Sequence, residues 1–80
     1  MITGDQIRSA RSLVRLSAQE LADKAKIGIS TVQRMEGGSG VPSASAKNLD
    51  AVQRALEAAG VEFIPADNGG PGVRLRKAGK

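Results

Sequence analysis

The sequence predicts a mainly α-helical fold of four helices followed by a short C-terminal element of two β-strands. In the part of the chain up to Ala59, apolar residues recur every three or four positions, which places them on one face of an α-helix. After Gly60 they alternate with polar residues, as in strands with one buried face. Eighty residues are enough for one domain with a small core.

The residue types that are missing restrict the function classes. The chain has no cysteine and no histidine, which excludes disulfides and argues against a structural metal site. Its carboxylates are scattered over separate helices, so we predict no catalytic residues, no cofactor and no enzymatic activity. No apolar run is long enough to span a membrane and no signal peptide is evident, so we expect a cytoplasmic protein without a membrane partner.

The formal net charge of +4 is unevenly distributed along the chain. Residues 1–64 hold eight Lys or Arg against seven Asp or Glu, a net of +1, whereas residues 65–80 hold four against one, a net of +3. This excess permits a polyanionic partner but does not require one. A solvated basic tail and a tail that contacts phosphates both remain open interpretations.

The first helix is predicted from Gly4 or Asp5 to Arg15, with Thr3 as its N-cap. Its apolar positions at helical spacing are Ile7, Ala10, Leu13 and Val14. We expect this face to cover the two helices that follow, because helices of about two turns are not stable alone.

The second helix is predicted to start with a capping box. Ser17 is followed three residues later by Glu20, a pair in which each side chain satisfies a free backbone N–H of the first turn. The apolar stripe of this helix is Leu21, Ala22 and Ala25. The helix is about two turns long and leads into a tight turn.

The third helix is predicted to begin near Gly28, with Val32 and Met35 facing inward. Gly37 and Gly38 are expected to end it, because glycine reaches the left-handed cap conformation at little cost. The residues expected to remain exposed on this helix are Ile29, Ser30, Gln33 and Arg34.

The fourth helix is predicted from Ser43 or Ser45 to Ala59, after a glycine- and proline-rich loop over residues 37–43. Gly60 is its expected C′ glycine. Its apolar positions are Leu49, Val52, Leu56 and Ala59, and a second face holds Ala51, Ala55 and Ala58. That second face either packs against another copy of the helix or is filler of high helix propensity.

Two strands are predicted at 61–64 and 73–76, joined by a connection that permits an antiparallel hairpin. Their apolar residues are expected on one face, namely Val61 and Phe63 in the first strand and Val73 and Leu75 in the second. Phe63 is expected against the fourth helix. A lone two-stranded ribbon is marginal in water, so it must pack on the helices or pair with another chain.

Together the second and third helices resemble the helix-turn-helix of the lambda and 434 repressor, Cro and XRE-type regulators. The resemblance covers roughly residues 5–60 and depends on the capping box, the Leu-Ala-x-x-Ala run, Ile27 and the Ser-Thr-Val-x-x-Met-Glu-x-Gly run that starts at Ser30. Two positions depart from the family pattern. Lys26 stands where the family has the turn glycine, and Gly28 stands where it has Ser or Thr at the helix start.

The resemblance implies a lambda-repressor-like fold whose third helix enters the DNA major groove. The positions that it implies for DNA binding are Gln19, Ile29, Ser30, Thr31, Gln33, Arg34, Gly38 and Ser39. It also implies that Arg11 pairs with Glu36, so that the first helix holds the end of the third. The alternative for Arg11 is a contact with a DNA phosphate.

These observations favour a sequence-specific double-stranded DNA-binding transcriptional regulator, acting as a homodimer on a two-fold symmetric site. We expect a DNA-binding domain over residues 1–60, dimerising strands over 61–76 and a disordered tail over 77–80. The alternative is a protein-interaction module, such as an antitoxin or an adaptor, that retains the fold and recruits a protein partner through an unpaired strand edge.

Overall fold

The computed structural model of the chain describes residues 2–38, 40, 42, 44–64 and 70–76. The elements in order are α1 (Gly4–Leu13), α2 (Ala18–Ala25), α3 (Ile29–Met35), α4 (Ala46–Ala58), β1 (Val61–Ile64) and β2 (Gly72–Leu75). The two strands form an antiparallel sheet. The predicted fold class, four helices and a two-stranded element, is confirmed, while the expected disorder of residues 77–80 lies outside the described residues.

Side-chain caps define where α1, α2 and α4 begin. Ser17 and Glu20 form the predicted capping box, with Ser17 Oγ accepting from Glu20 N at 3.0 Å and Glu20 Oε1 accepting from Ser17 N at 2.8 Å. The hydrogen bond from the Ser17 backbone lowers the pKa of Glu20 below its ordinary value of 4.5. Because the folded pKa is the lower one, this stabilisation is present above pH 4.5 and is lost as the pH falls through the lowered pKa.

Left-handed residues close the ends of α1 and α2. Arg15 has φ of 59° and Lys26 has φ of 60°, where glycine is the usual residue. At the end of α2, Lys26 N donates to Asp23 O at 3.3 Å and Ile27 N donates to Ala22 O at 3.0 Å, the pattern of a Schellman motif. The same pattern follows α1, so the prediction that α1 continues to Arg15 is wrong by two residues.

The end of α3 also differs from the prediction. α3 stops at Met35, and Glu36 at its C-cap keeps a right-handed conformation with φ of −85°. Neither Gly37 nor Gly38 has a positive φ, so the expected left-handed stop at these glycines is wrong. Gly60 after α4 does take that conformation, with φ of 109°, as predicted.

The core lies between the helices and one face of the hairpin. Fully buried apolar residues come from all four helices and from β1, among them Ile7, Leu21, Val32, Leu56 and Val61. β1 packs on α4, and β2 packs on α1. The sheet therefore covers the side of the helical core that α2 and α3 do not.

The strands pair in the register Val61 with Leu75, Glu62 with Arg74, and Phe63 with Val73. Phe63 and Val73 are half-buried against the core, whereas the side chain of Leu75 is 54% exposed. Leu75 therefore lies on the predicted apolar face, but this chain leaves it uncovered. On the opposite face of the sheet, Arg74 Nε donates to Glu62 Oε1 at 2.9 Å and lowers the pKa of Glu62.

A buried glutamine joins the hairpin to α1. Gln6 is 6% exposed, and its Oε1 accepts from Thr3 N at 2.8 Å as part of the capping box of α1. Its Nε2 donates to Gly72 O at 3.0 Å and to Ile64 O at 3.4 Å. One side chain therefore caps α1 and holds the hairpin onto it.

Candidate nucleic-acid interface

The turn between α2 and α3 is three residues long. Lys26 reverses the chain, Ile27 is half-buried against the core, and Gly28 is the N-cap of α3. Gly28 provides no side-chain hydrogen bond, so α3 begins with a backbone cap only. The packing of Val32 and Met35, both buried, fixes the rotation of α3 about its axis.

One face of α3 presents polar side chains to solvent. Ser30, Gln33 and Arg34 are exposed, and residues three and four apart share a helix face. Among the described residues, none forms a hydrogen bond or ion pair with any of these three side chains. This part of the helix is held in place by its other face and leaves these groups available to a ligand.

Two predicted contact residues on α3 are not fully exposed. Ile29 is half-buried and packs against the core, so the expectation that it is exposed is wrong. Thr31 is also half-buried. Ile29 supports the start of α3 as well as bordering its exposed face.

α1 holds the C-terminal end of α3 through an ion pair. Arg11 Nε donates to Glu36 Oε2 at 2.8 Å, and Arg11 Nη2 donates to Glu36 Oε1 at 2.9 Å. Arg11 Nη1 donates to Leu16 O at 3.1 Å, so all three of its nitrogens are engaged within the chain. The hydrogen bond to Glu36 raises the pKa of Arg11. The predicted pair is present, and the geometry disfavours the alternative in which Arg11 contacts a phosphate.

A second contact between α1 and the end of α3 was missed by sequence reasoning. Arg8 Nη1 donates to Glu36 O and, at 3.2 Å, to Gly38 O. Gly4 lies so close that an added Cβ would stand 2.6 Å from Met35 O and still nearer to Gly38 O. The only sequence signal was the type of residue at position 4, since a glycine that opens a helix often marks close backbone approach.

The remaining predicted contact residues lie at the edges of this face. Gln19 is exposed on α2, and its Nε2 donates to Asp23 Oδ1 at 3.0 Å. Gly38 is exposed after α3, although its carbonyl accepts from Arg8. Ser39 lies outside the described residues.

The charges near the α2–α3 unit are mixed. Glu20 and Asp23 are exposed on α2, and Lys26 and Arg34 are exposed at the turn and on α3. Within the described residues neither Lys26 nor Arg34 has an ion-pair partner, unlike the arginines at positions 8, 11, 54 and 74. Lys24, which is exposed on α2, also has no ion-pair partner among those residues, so the uncommitted cations of the unit lie on α2, at the turn and on α3.

The described residues offer neither a metal-binding cluster nor a membrane-spanning helix. No group of three or more His, Cys, Asp or Glu is placed to hold a metal ion among those residues. No described helix is long and apolar enough to cross a membrane.

Comparison with known families finds one match that covers most of the chain. Residues 3–63 match a helix-turn-helix domain. The matched range begins at the N-cap of α1, includes all four helices and ends within β1. A search of curated proteins finds no match.

Proposed function

The chain belongs to the helix-turn-helix domain family, and from that premise we propose that it is a sequence-specific DNA-binding transcriptional regulator of the lambda-repressor, Cro and XRE type. The observation that carries the proposal is the exposed face of α3. Ser30, Gln33 and Arg34 have no partner among the described residues, while the helix that carries them is anchored to α1 and to the core. The protein acts in the cytoplasm by binding rather than by catalysis.

In this proposal α3 lies in the major groove and its exposed side chains contact base edges. Arg34 suits guanine, because a guanidinium donates to O6 and N7 together, and Gln33 suits adenine N6 and N7. Ser30 hydrogen-bonds either base, and Ile29 touches a thymine methyl where its side chain reaches the groove.

Residues around this face contact the DNA backbone and set the register of α3. These backbone contacts are Gln19, Thr31, Gly38 and Ser39. Gly38 and Ser39 bring small residues and backbone N–H groups close to a phosphate, and contacts of this kind position a protein without reading sequence. For Gln19 to reach a phosphate, its amide must leave Asp23 Oδ1.

The proposed operator has two-fold symmetry. Two copies of the chain place their α3 helices in successive major grooves about 34 Å apart. Residues 1–60 read the DNA, and the strands within 61–76 hold the two copies together. A domain of this size is marginally stable alone, so a dimer interface also supports the fold.

Selection of bound sequences from random duplex DNA tests the proposal. The expected result is enrichment of a two-fold symmetric site, with affinity that falls steeply as salt rises because bound counterions are released. Enrichment of no sequence at low or high salt would contradict it.

The second candidate is a protein-interaction module, such as an antitoxin or adaptor. The specific observation that favours it is the exposed Leu75 on a strand at the edge of a two-stranded sheet. Binding through an apolar surface changes little with salt, so the salt dependence of any captured partner distinguishes this function from DNA binding.

A further inference from the structure

We propose that the outer edge of β2 is the site where a second copy of this chain binds, so that two hairpins form one four-stranded antiparallel sheet. The outer edge of β2 means the main-chain groups of Val73 and Leu75 that point away from β1. This inference names the interface of the dimer proposed above and rests on that part of the proposed function.

The direction of these main-chain groups follows from the hairpin register. Arg76 N donates to Gly60 O at 2.7 Å, so residues 60 and 76 form a hydrogen-bonded pair. Directly opposed residues in an antiparallel ladder alternate between hydrogen-bonded and non-hydrogen-bonded pairs. Val61 with Leu75 and Phe63 with Val73 are therefore non-hydrogen-bonded pairs. The N–H and C=O groups of these four residues point out of the hairpin.

Gln6 provides an independent check of this alternation. Its Nε2 reaches both Ile64 O and Gly72 O, which requires these two carbonyls to lie on the inner side of the ladder. Ile64 and Gly72 are thus a hydrogen-bonded pair, as the alternation from Arg76 demands. Among the described residues, none donates to or accepts from the main chain of Val73 or Leu75.

The side chains next to this edge are apolar and exposed. Leu13 and Leu75 are the large hydrophobic residues with the greatest exposure in the described part of the chain, at 39% and 54%. Leu13 and Val73 line the same open groove between α1 and β2, together with Arg8, Ser9 and Ser12. Leu75 follows Val73 on the same face of the strand, so the apolar strip runs along the edge itself.

The charges on β2 favour a second copy over an acidic peptide as the occupant. Arg74 already pairs with Glu62, and the guanidinium of Arg76 donates to Glu57 O at the end of α4. An acidic strand would find Arg74 already neutralised by Glu62, whereas the carbonyl of Glu57 engages Arg76 without removing its charge. A second copy brings its own Arg74–Glu62 pair, and an antiparallel edge is self-complementary about a two-fold axis.

Within the residues that the structure describes, one register satisfies all the outward groups. When Val73 faces Leu75 of the second copy and Arg74 lies on the two-fold axis, each outward N–H and C=O meets a partner. Pairing Val73 with its own equivalent would instead place Leu75 opposite Pro71, which has no N–H. The chosen register also joins the two apolar strips into one.

Leu75→Pro tests this edge while leaving the hairpin ladder intact. Proline removes only the outward N–H at this position, and edge strands tolerate proline where the N–H faces away from the ladder. The expected result by sedimentation is a wild-type dimer whose dissociation constant rises roughly a hundredfold in the variant, since two symmetric hydrogen bonds and their packing are lost. Leu75→Val keeps the N–H and the apolar side chain, and should remain dimeric.

Ala58→Lys on the alanine face of α4 is the control for the rival interface. This substitution should leave the dimer unchanged. The proposal would be overturned if Ala58→Lys dissociated the dimer while Leu75→Pro left it intact. A wild-type chain that stays monomeric at millimolar concentration would also overturn it.

Amide hydrogen exchange of the wild-type chain keeps the test decisive if Leu75→Pro does not fold. The amides of Val73 and Leu75 should be protected at high concentration and exchange faster on dilution, and fast exchange at every concentration would contradict the interface. DNA selection separates the two proposals. If the protein is a monomer that still selects a sequence, only the proposed interface is contradicted. If it is a dimer that selects no sequence, only the proposed DNA-binding function is contradicted.

Discussion

The exposed face of α3 and the outer face of the hairpin both carry polar and cationic side chains, but the two surfaces use them differently. On the hairpin, Arg74 pairs with Glu62 and Arg76 donates to Glu57 O. On α3, Gln33 and Arg34 meet no partner among the described residues. A polar side chain that is engaged within the chain serves the fold, and one that a rigid helix presents without a partner is available for recognition.

The exposed face of α3 also stands on a helix that is held firmly in place. The unpaired side chains of α3 stand on a helix whose end is held by α1, through the bidentate pair from Arg11 and the contacts of Arg8 and Gly4. A recognition surface needs this combination, because side chains held on a rigid element lose less freedom when they bind. Changes at the anchors should therefore reduce stability, while changes on the exposed face should reduce DNA affinity.

The largest expected effect is at the Arg11–Glu36 pair. Arg11→Ala or Glu36→Ala should each lower the free energy of unfolding by about 3 kcal/mol, because each leaves a largely shielded charge without its partner. The two side chains are 26% and 10% exposed. Urea unfolding of both single variants and the double variant measures the coupling. Purely additive losses would show that the pair does not anchor α3.

A smaller loss is expected at the link between α1 and the hairpin. Gln6→Leu should lower the free energy of unfolding by about 2 kcal/mol, because Thr3 N loses its acceptor in the buried capping box. Gln33→Leu is the matched control on the exposed face of α3, where a surface substitution changes stability by about 0.5 kcal/mol or less. Equal destabilisation of the two variants in thermal unfolding would erase the distinction between the two surfaces.

The smallest expected effect is a gain in stability at the turn before α3. Lys26→Gly should raise the free energy of unfolding by about 1 kcal/mol, because Lys26 is held at φ of 60°, where glycine has no steric cost. Arg15→Gly should act in the same direction for the same reason. Chemical denaturation checks both, and a destabilised Lys26→Gly would mean that the lysine side chain stabilises the turn by more than the strain.

Local sequence signals predicted the parts of the fold that depend on neighbouring residues. The capping box at Ser17, the cap at Thr3 and the left-handed Gly60 each involve groups within one turn of the chain. Lys26 at positive φ followed from its place in the family pattern. The Arg11–Glu36 contact, which joins residues far apart in sequence, also came from the resemblance.

Features that depend on distant residues could not be read from the sequence. The burial of Gln6 was not predicted, because the two carbonyls that accept from its side chain lie near the other end of the chain. Gly4 gave no sign of its partner at the end of α3. The alternation in β2 predicted the face on which Leu75 lies, but not that the residue remains 54% exposed. On α3 the exposure of Ser30, Gln33 and Arg34 was predicted correctly and that of Ile29 was not. What each of these side chains binds remains a prediction.

Base-by-base DNA binding by wild-type protein and Arg34→Ala tests whether the exposed face of α3 reads bases. Arg34→Ala should lose about 1–3 kcal/mol of binding free energy on the best site and relax the preference at particular base pairs, since it removes a bidentate contact with guanine. Lys47→Ala, which changes an exposed cation on α4, should preserve the base preferences. Equal weakening by Arg34→Ala on every sequence would contradict direct reading of bases by the exposed face of α3.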